Sequence, residues 1–247
     1  DQQSALFGQM CFNKGDVKNT YGTGCFSIMN TGSHIVKSSN KMLTTVAYQI
    51  NGTTNYAIEG SVFIAGSLIQ WLRDGLGIIS KANEIELLAE SESTNGGLTL
   101  IPALTGLGAP YWNPDAKGAI FGITRNTSKG HIARAALESI AIRTYEIILC
   151  MEKDANLEFS SLKVDGGASK NNLLMQIQSD LLQKEVIRPM ITECTALGVA
   201  FMSGLSSGYW SSIEDLKKLN KKNDTFQPKE SKQELLLKWN KHIKTLL

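Results

Sequence analysis

Four cysteines, Cys11, Cys25, Cys150 and Cys194, are spread over 247 residues with no C-x-x-C pair among them. They are too sparse for a disulfide scaffold, which points to a reducing compartment and makes the cytoplasm the expected location. Histidine is scarcer still. His34, His131 and His242 stand far apart, outside any H-x-x-x-H or cysteine cluster, so a zinc centre built from protein ligands is not expected. A dominant charge is also missing: the formal net charge is +2, and the basic residues do not gather with aromatics on one element. Nucleic acid is therefore not an expected partner. No apolar run approaches the roughly 20 residues of a membrane helix, so no membrane span is expected. Neither G-x-x-x-x-G-K-[ST] nor a helix-opening G-x-G-x-x-G occurs, and any nucleotide must be held in another way.

What is present is ample apolar material, 42% of residues against 19% charged, enough for one large core or two modest ones. After an opening helix near residues 3–11, Val17 to Tyr21 and Cys25 to Asn30 flank Gly22-Thr23-Gly24 and predict a hairpin. A second hairpin, Met42 to Gln49 and Thr54 to Glu59, turns through Asn51-Gly52. Ser61 to Leu76 shows apolar residues at three- and four-residue spacing and is predicted as one helix, with Ser61 as its N-cap. An irregular stretch over residues 102–117 is long enough to be functional or an interface. From Gly118 the order becomes strand and helix in alternation, and a polar tail from Tyr209 closes on an amphipathic helix. Hairpins first and alternation later predict an α/β lobe with a mixed β-sheet flanked by helices.

The most informative stretch is Val164-Asp165-Gly166-Gly167-Ala168-Ser169-Lys170-Asn171-Asn172, between a predicted strand and a predicted helix. Adjacent glycines admit a ligand where a Cβ would collide, and the N–H groups opening the helix would point into the same space. A plain strand-to-helix turn accounts for the same two glycines. Gly22-Thr23-Gly24 can align backbone N–H groups and a hydroxyl on phosphate oxygens. Gly66, followed by Gln70, is placed inside the predicted helix, where glycine costs about 1 kcal/mol against alanine and asks for close packing or a ligand. Asp1 reads either as a helix N-cap or as a carboxylate able to take a proton or help hold Mg²⁺.

These blocks resemble the C-terminal lobe of FGGY-family carbohydrate kinases. The resemblance is carried by Asp1 to Gly8, Asn19 to Phe26, Gln70 to Asp74, Thr105 to Trp112 and Val164 to Asn172. Gly118-x-Ile120-x-Gly122-Ile123, seven residues, then His131-Ile132-x-x-Ala135-Ala136-Leu137-Glu138 fits the family's second pattern. The resemblance implies a ribonuclease H-like lobe of the actin, Hsp70 and sugar-kinase superfamily, and ATP-dependent phosphorylation of glycerol to glycerol 3-phosphate. Another FGGY sugar kinase, of xylulokinase or gluconokinase type, and an actin-like nucleotide-gated interaction module stay as alternatives.

By the same resemblance Asp1 is the catalytic base and metal neighbour, and Gln2 and Phe26 complete the glycerol wall. Thr23, Gly66, Gln70, Gly167 and Asn171 are then the contacts for ATP or ADP, with Mg²⁺ between the two substrates. Residues 1–208 are expected to form the nucleotide-binding domain and 209–247 a helical tail packed on the same lobe. The chain opens inside a strand-to-helix transition without methionine, so a missing N-terminal domain is expected as partner. Alone, this piece is expected to bind nucleotide weakly without turnover, and the full-length protein to form a dimer or tetramer.

Overall fold

In a computed structural model, residues 1–219 and 223–247 are described. The chain opens with α1 (Gln2–Gly8), followed by the hairpins β1 (Val17–Tyr21) with β2 (Cys25–Gly32) and β3 (Leu43–Ile50) with β4 (Thr53–Val62). Next come α2 (Gly66–Asp74), α3 (Glu84–Glu90), β5 (Thr99–Ile101), β6 (Ala119–Phe121) and the long α4 (Lys129–Ala155). β7 (Ser161–Asp165), a 3₁₀ turn over Gly167–Lys170, α5 (Asn172–Leu182), β8 (Glu185–Arg188) and α6 (Cys194–Ser206) form the alternating part. The C-terminal segment adds α7 (Ile213–Lys217), β9 (Asp224–Phe226) and α8 (Gln233–Ile243).

Seven strands make one mixed sheet in the order β3-β4-β2-β1-β7-β8-β9, and β5 with β6 make a separate pair. Side chains alternate across each strand, so every strand contributes to two layers. Val17, Tyr21, Cys25, Met29 and Val164 lie in the larger core with residues of α4 and α5. Ile28 and Ala57 lie in the smaller core with Leu6 and Phe7 of α1 and Phe201 of α6. Helices α1 and α6 approach backbone to backbone where they cross. A Cβ on Gly198 would stand 1.8 Å from the Ser4 carbonyl oxygen, and one on Gly8 would stand 2.0 Å from that of Cys194. Ser4 Oγ donates to the Thr195 carbonyl at 2.7 Å across the same crossing.

Both hairpins, the mixed sheet and its flanking helices agree with the sequence expectations, whereas the helix predicted from Ser61 starts later. β4 runs through Val62, with Ser61 paired to Phe26 and Val62 to Cys25, and α2 opens at Gly66. Pairing of β4 with β2, across the two hairpins, overrides the helical spacing there, and Phe63 is exposed. β9 was not expected; three residues with no alternation to read form the far edge of the sheet.

His131, the third residue of α4, forms a capping box with the N-cap Ser128. Ser128 Oγ accepts from its N–H at 3.2 Å, while its Nδ1 accepts from the Ser128 N–H at 3.1 Å. The irregular stretch over residues 102–117 is clasped to the lobe. The buried Arg143 donates to the Ala109 carbonyl at 2.6 Å, and Tyr111 and Trp239 donate to Glu146 Oε1 at 2.5 and 2.8 Å.

Candidate functional site

β1 and β7 are parallel neighbours, with Thr20 opposite Asp165, so the turns that follow them leave the sheet side by side. Gly166 adopts a φ of +84°, and a Cβ there would lie 2.6 Å from the Tyr21 carbonyl oxygen. Glycine is needed at that position on both counts. At Gly167 the reason is different: its φ is ordinary and a Cβ would meet nothing within 4 Å. The missing side chain opens onto a cavity of about 470 Å³, whose walls include Thr23, Gly66, Gln70, Gly167 and Asn171. Five residues from three separate segments thus converge on one space.

The Gly22-Thr23-Gly24 turn is locked to α2. The Gly22 carbonyl accepts from the Gly66 N–H at 3.0 Å, and the Thr23 carbonyl accepts from the N–H groups of Ala65 and Ser67 at 2.9 and 3.1 Å. Those carbonyls occupy donors that the start of a helix otherwise leaves open. A Cβ on Gly66 would stand 2.6 Å from the Gly22 oxygen, so this glycine opens the helix, not its interior as expected, and its reason is the close approach of the turn. The exposed Thr23 hydroxyl makes no hydrogen bond among the described residues and is available to a ligand.

The expectation that α5 aims free N–H groups into the cavity is not met. Glu86 Oε1 accepts from Asn172 and Leu173 N–H at 2.7 and 3.0 Å, and Asn171 Oδ1 accepts from Leu174 N–H at 2.8 Å. With its oxygen turned to the helix, Asn171 presents its amide nitrogen as the donor on this wall. Glu86 places a carboxylate at the favourable end of the helix dipole, a poor neighbour for phosphate. The Thr23 turn is therefore the wall better suited to an anion, and the buried Ile69 and Ile85 add apolar lining to the same cavity. Glu86, Ile69 and Ile85 escaped the sequence reading because ordinary helix residues carry no local mark. Glu86 sits 86 residues from its partner Asn172, a contact that only the fold reveals.

Asp1, Gln2 and Phe26 are not among the walls of that cavity and gather instead on the α1 side of the sheet. Asp1 is exposed at the N-cap position of α1 without a side-chain bond to the helix. The wholly buried Lys18 donates to Gln2 Oε1, to Thr20 Oγ1 at 2.8 Å and to the Phe26 carbonyl at 3.4 Å. Burial pulls the Lys18 ammonium down to about 8, against the attraction of Asp165. Asp165 is itself pushed up by burial. Thr20, Cys194 and Gln9 lie against its carboxylate, none in good hydrogen-bond geometry. Among the described residues no cluster of three His, Cys, Asp or Glu side chains could hold a metal ion.

Residues 17–207 match the C-terminal domain of the FGGY family of carbohydrate kinases. The chain belongs to this family. It is 53% identical over 246 residues to a glycerol kinase of Clostridium perfringens, covering 98% of this chain and 49% of that protein. A glycerol kinase of Burkholderia pseudomallei is 56% identical over 216 residues, 87% of this chain and 43% of the relative. This FGGY chain thus spans about half the length of the relatives it matches. A crystal structure of Plasmodium falciparum glycerol kinase with ADP superposes with a TM-score of 0.93 at 37% identity, over 100% of this chain and 50% of that one. A ligand-bound xylulose kinase from Lactobacillus acidophilus gives a TM-score of 0.81 at 17% identity, over 98% of this chain and 48% of the other, a likeness of fold alone. The lobe has the fold of the sugar kinases of the actin and Hsp70 superfamily, as the FGGY resemblance implied.

Proposed function

We propose that the protein containing this chain transfers the γ-phosphoryl group of ATP to a terminal hydroxyl of glycerol, giving glycerol 3-phosphate in the cytoplasm. The observation that carries the nucleotide half is Gly167, where the space a side chain would fill is left to the cavity. Identity above 50% to glycerol kinases supports glycerol over the xylulose and gluconate of distant relatives. In this reading residues 1–208 are the nucleotide lobe, 209–247 a tail packed on it, and another domain of the full-length protein closes the glycerol pocket. The full-length protein is a homo-oligomer, a dimer or tetramer.

Catalysis is then mainly positioning and charge stabilisation, since a loose phosphoryl transition state spreads charge over its oxygens. The Thr23 hydroxyl and turn donate to phosphate, Gly66 and Gln70 form the α2 wall, and Gly167 and Asn171 receive the adenine side. Phe26 and the Gln2 amide hold glycerol, and Asp1 takes the proton of the attacking hydroxyl. As an exposed carboxylate Asp1 suits Mg²⁺, which is commonly held by one or two carboxylates, water and substrate phosphates. The ion would offset phosphate charge between the substrates.

The test is ADP release by the full-length protein with glycerol, xylulose and gluconate. Turnover with glycerol that Asp1→Asn lowers at least a hundredfold is expected. Equal rates on all three substrates, or an unaffected Asp1→Asn variant, would contradict the reading.

A further inference from the structure

Among the described residues Lys18 and Arg143 are the cationic side chains with at most 1% exposure. Arg143 is accounted for by Glu146 and the Ala109 carbonyl. Lys18 has no hydrogen-bonded acid. Asp165 and Glu59 attract it from nearby, yet its donors go to Gln2 Oε1, Thr20 Oγ1 and the Phe26 carbonyl. A buried ammonium committed to three neutral oxygens is costly where an apolar side chain of the same length would fill the space. Its chemistry gives it a use.

An ammonium carries three donors and no acceptor, so only the carbonyl oxygen of the Gln2 amide can face it. The amide cannot flip without setting N–H against N–H. Its NH₂ is turned away from Lys18, and it makes no hydrogen bond among the described residues. The same ammonium also reaches the backbone of Phe26, which pairs with Thr20 across the hairpin. One buried charge thus fixes both residues of the glycerol wall.

From this geometry we infer that Lys18 is a positioning residue. It orients the Gln2 amide so that it donates to a substrate hydroxyl, and it holds Phe26 in register beside it. The inference rests on the glycerol-wall reading above and extends it to a residue that touches no substrate. A hydroxyl oxygen of the polyol is then the acceptor, and the substrate hydroxyl keeps its proton free for the acid across the wall.

The experiment is a mutant cycle in the full-length enzyme. Lys18→Met is made together with Asp165→Asn, so that no lone carboxylate stays buried, and is compared with Asp165→Asn alone, each with and without Gln2→Ala. Loss of Lys18 is expected to raise KM for glycerol tenfold or more while KM for ATP stays within twofold. In the Gln2→Ala background the same loss should change KM for glycerol less than twofold. A core role alone would lower the folded fraction and give the same KM change with or without Gln2, which would overturn the inference. If the Met variant does not fold, Lys18→Gln serves, since its amide keeps a donor for Gln2. A threefold or smaller change in glycerol KM is expected there, and a tenfold change refutes the inference. Wild-type enzyme without glycerol-dependent turnover would defeat the functional reading before any variant is compared, and this inference with it.

Discussion

Exchanging the two adjacent glycines of the β7–α5 turn should have opposite consequences. At Gly166 alanine faces two penalties. The φ of +84° lies outside the range of L-residues, at about 1–3 kcal/mol. Contact with the Tyr21 carbonyl at 2.6 Å adds an overpacking cost of about 1–3 kcal/mol. Together these give about 2–6 kcal/mol of lost stability, and at about 2–4 °C per kcal/mol the melting midpoint falls by at least about 4 °C. At Gly167 an added Cβ meets no protein atom within 4 Å, so valine there should change stability by no more than about 0.5 kcal/mol. Its methyls enter the nucleotide's space instead. A displacement of ligand atoms costing about 1.4 kcal/mol weakens binding tenfold. The assay is thermal unfolding of Gly166→Ala and Gly167→Val beside calorimetric titration with ADP–Mg²⁺. A folded Gly167→Val that binds ADP within twofold of wild type would refute the cavity assignment. An unshifted midpoint for Gly166→Ala would refute the backbone argument.

Three further outcomes are expected. Gly198→Ala should lower stability by about 1–3 kcal/mol or more, because its Cβ would stand 1.8 Å from the Ser4 carbonyl, which helix α1 cannot withdraw; denaturant midpoints check this. Cys11 is pushed up by burial from 9.0 to about 12. Its stabilising contribution is therefore whole below pH 9 and is lost as pH rises toward 12. Relative to Cys11→Ala, wild type should lose about 1.4 kcal/mol between pH 8 and pH 10, measured by denaturant unfolding at both, and no change would exclude the shift. Glu86→Gln should cost about 0.3–1 kcal/mol, because the helix dipole of α5 loses its anion while an acceptor remains; equal stability in low salt would count against that role.

Much of this lobe was legible because local signals and tertiary structure agree. Asn51-Gly52 and Gly22-Thr23-Gly24 mark their hairpins by turn chemistry, and the glycine run after Asp165 marks the β7 exit. Disagreement arose where the partner was distant. Ser61 and Val62 carry helical spacing yet pair with β2, and no pattern within residues 61–76 announces that partner. Glu86 illustrates the same limit at the site. An acid in the first turn of α3 is unremarkable until the fold sets it against α5. Lys18 reads as a surface lysine in the middle of a strand, and its burial follows only from α1 and α6 lying across that face.

Parallel pairing of β1 with β7 also governs how this sequence can drift in length. Each residue advances a strand by about 3.3 Å and reverses the face of every side chain beyond it. One residue gained between Val17 and Tyr21, or between Ser161 and Asp165, would slide Thr23 past Gly167 and send Lys18 or Asp165 to the opposite layer. These two short segments act as a ruler with no slack. The Asn51-Gly52 tip is the turn of the other hairpin, β3–β4, and a Cβ on Gly52 would touch nothing within 4 Å. Insertions and deletions across the family should be excluded from the first region and collect at places like the second.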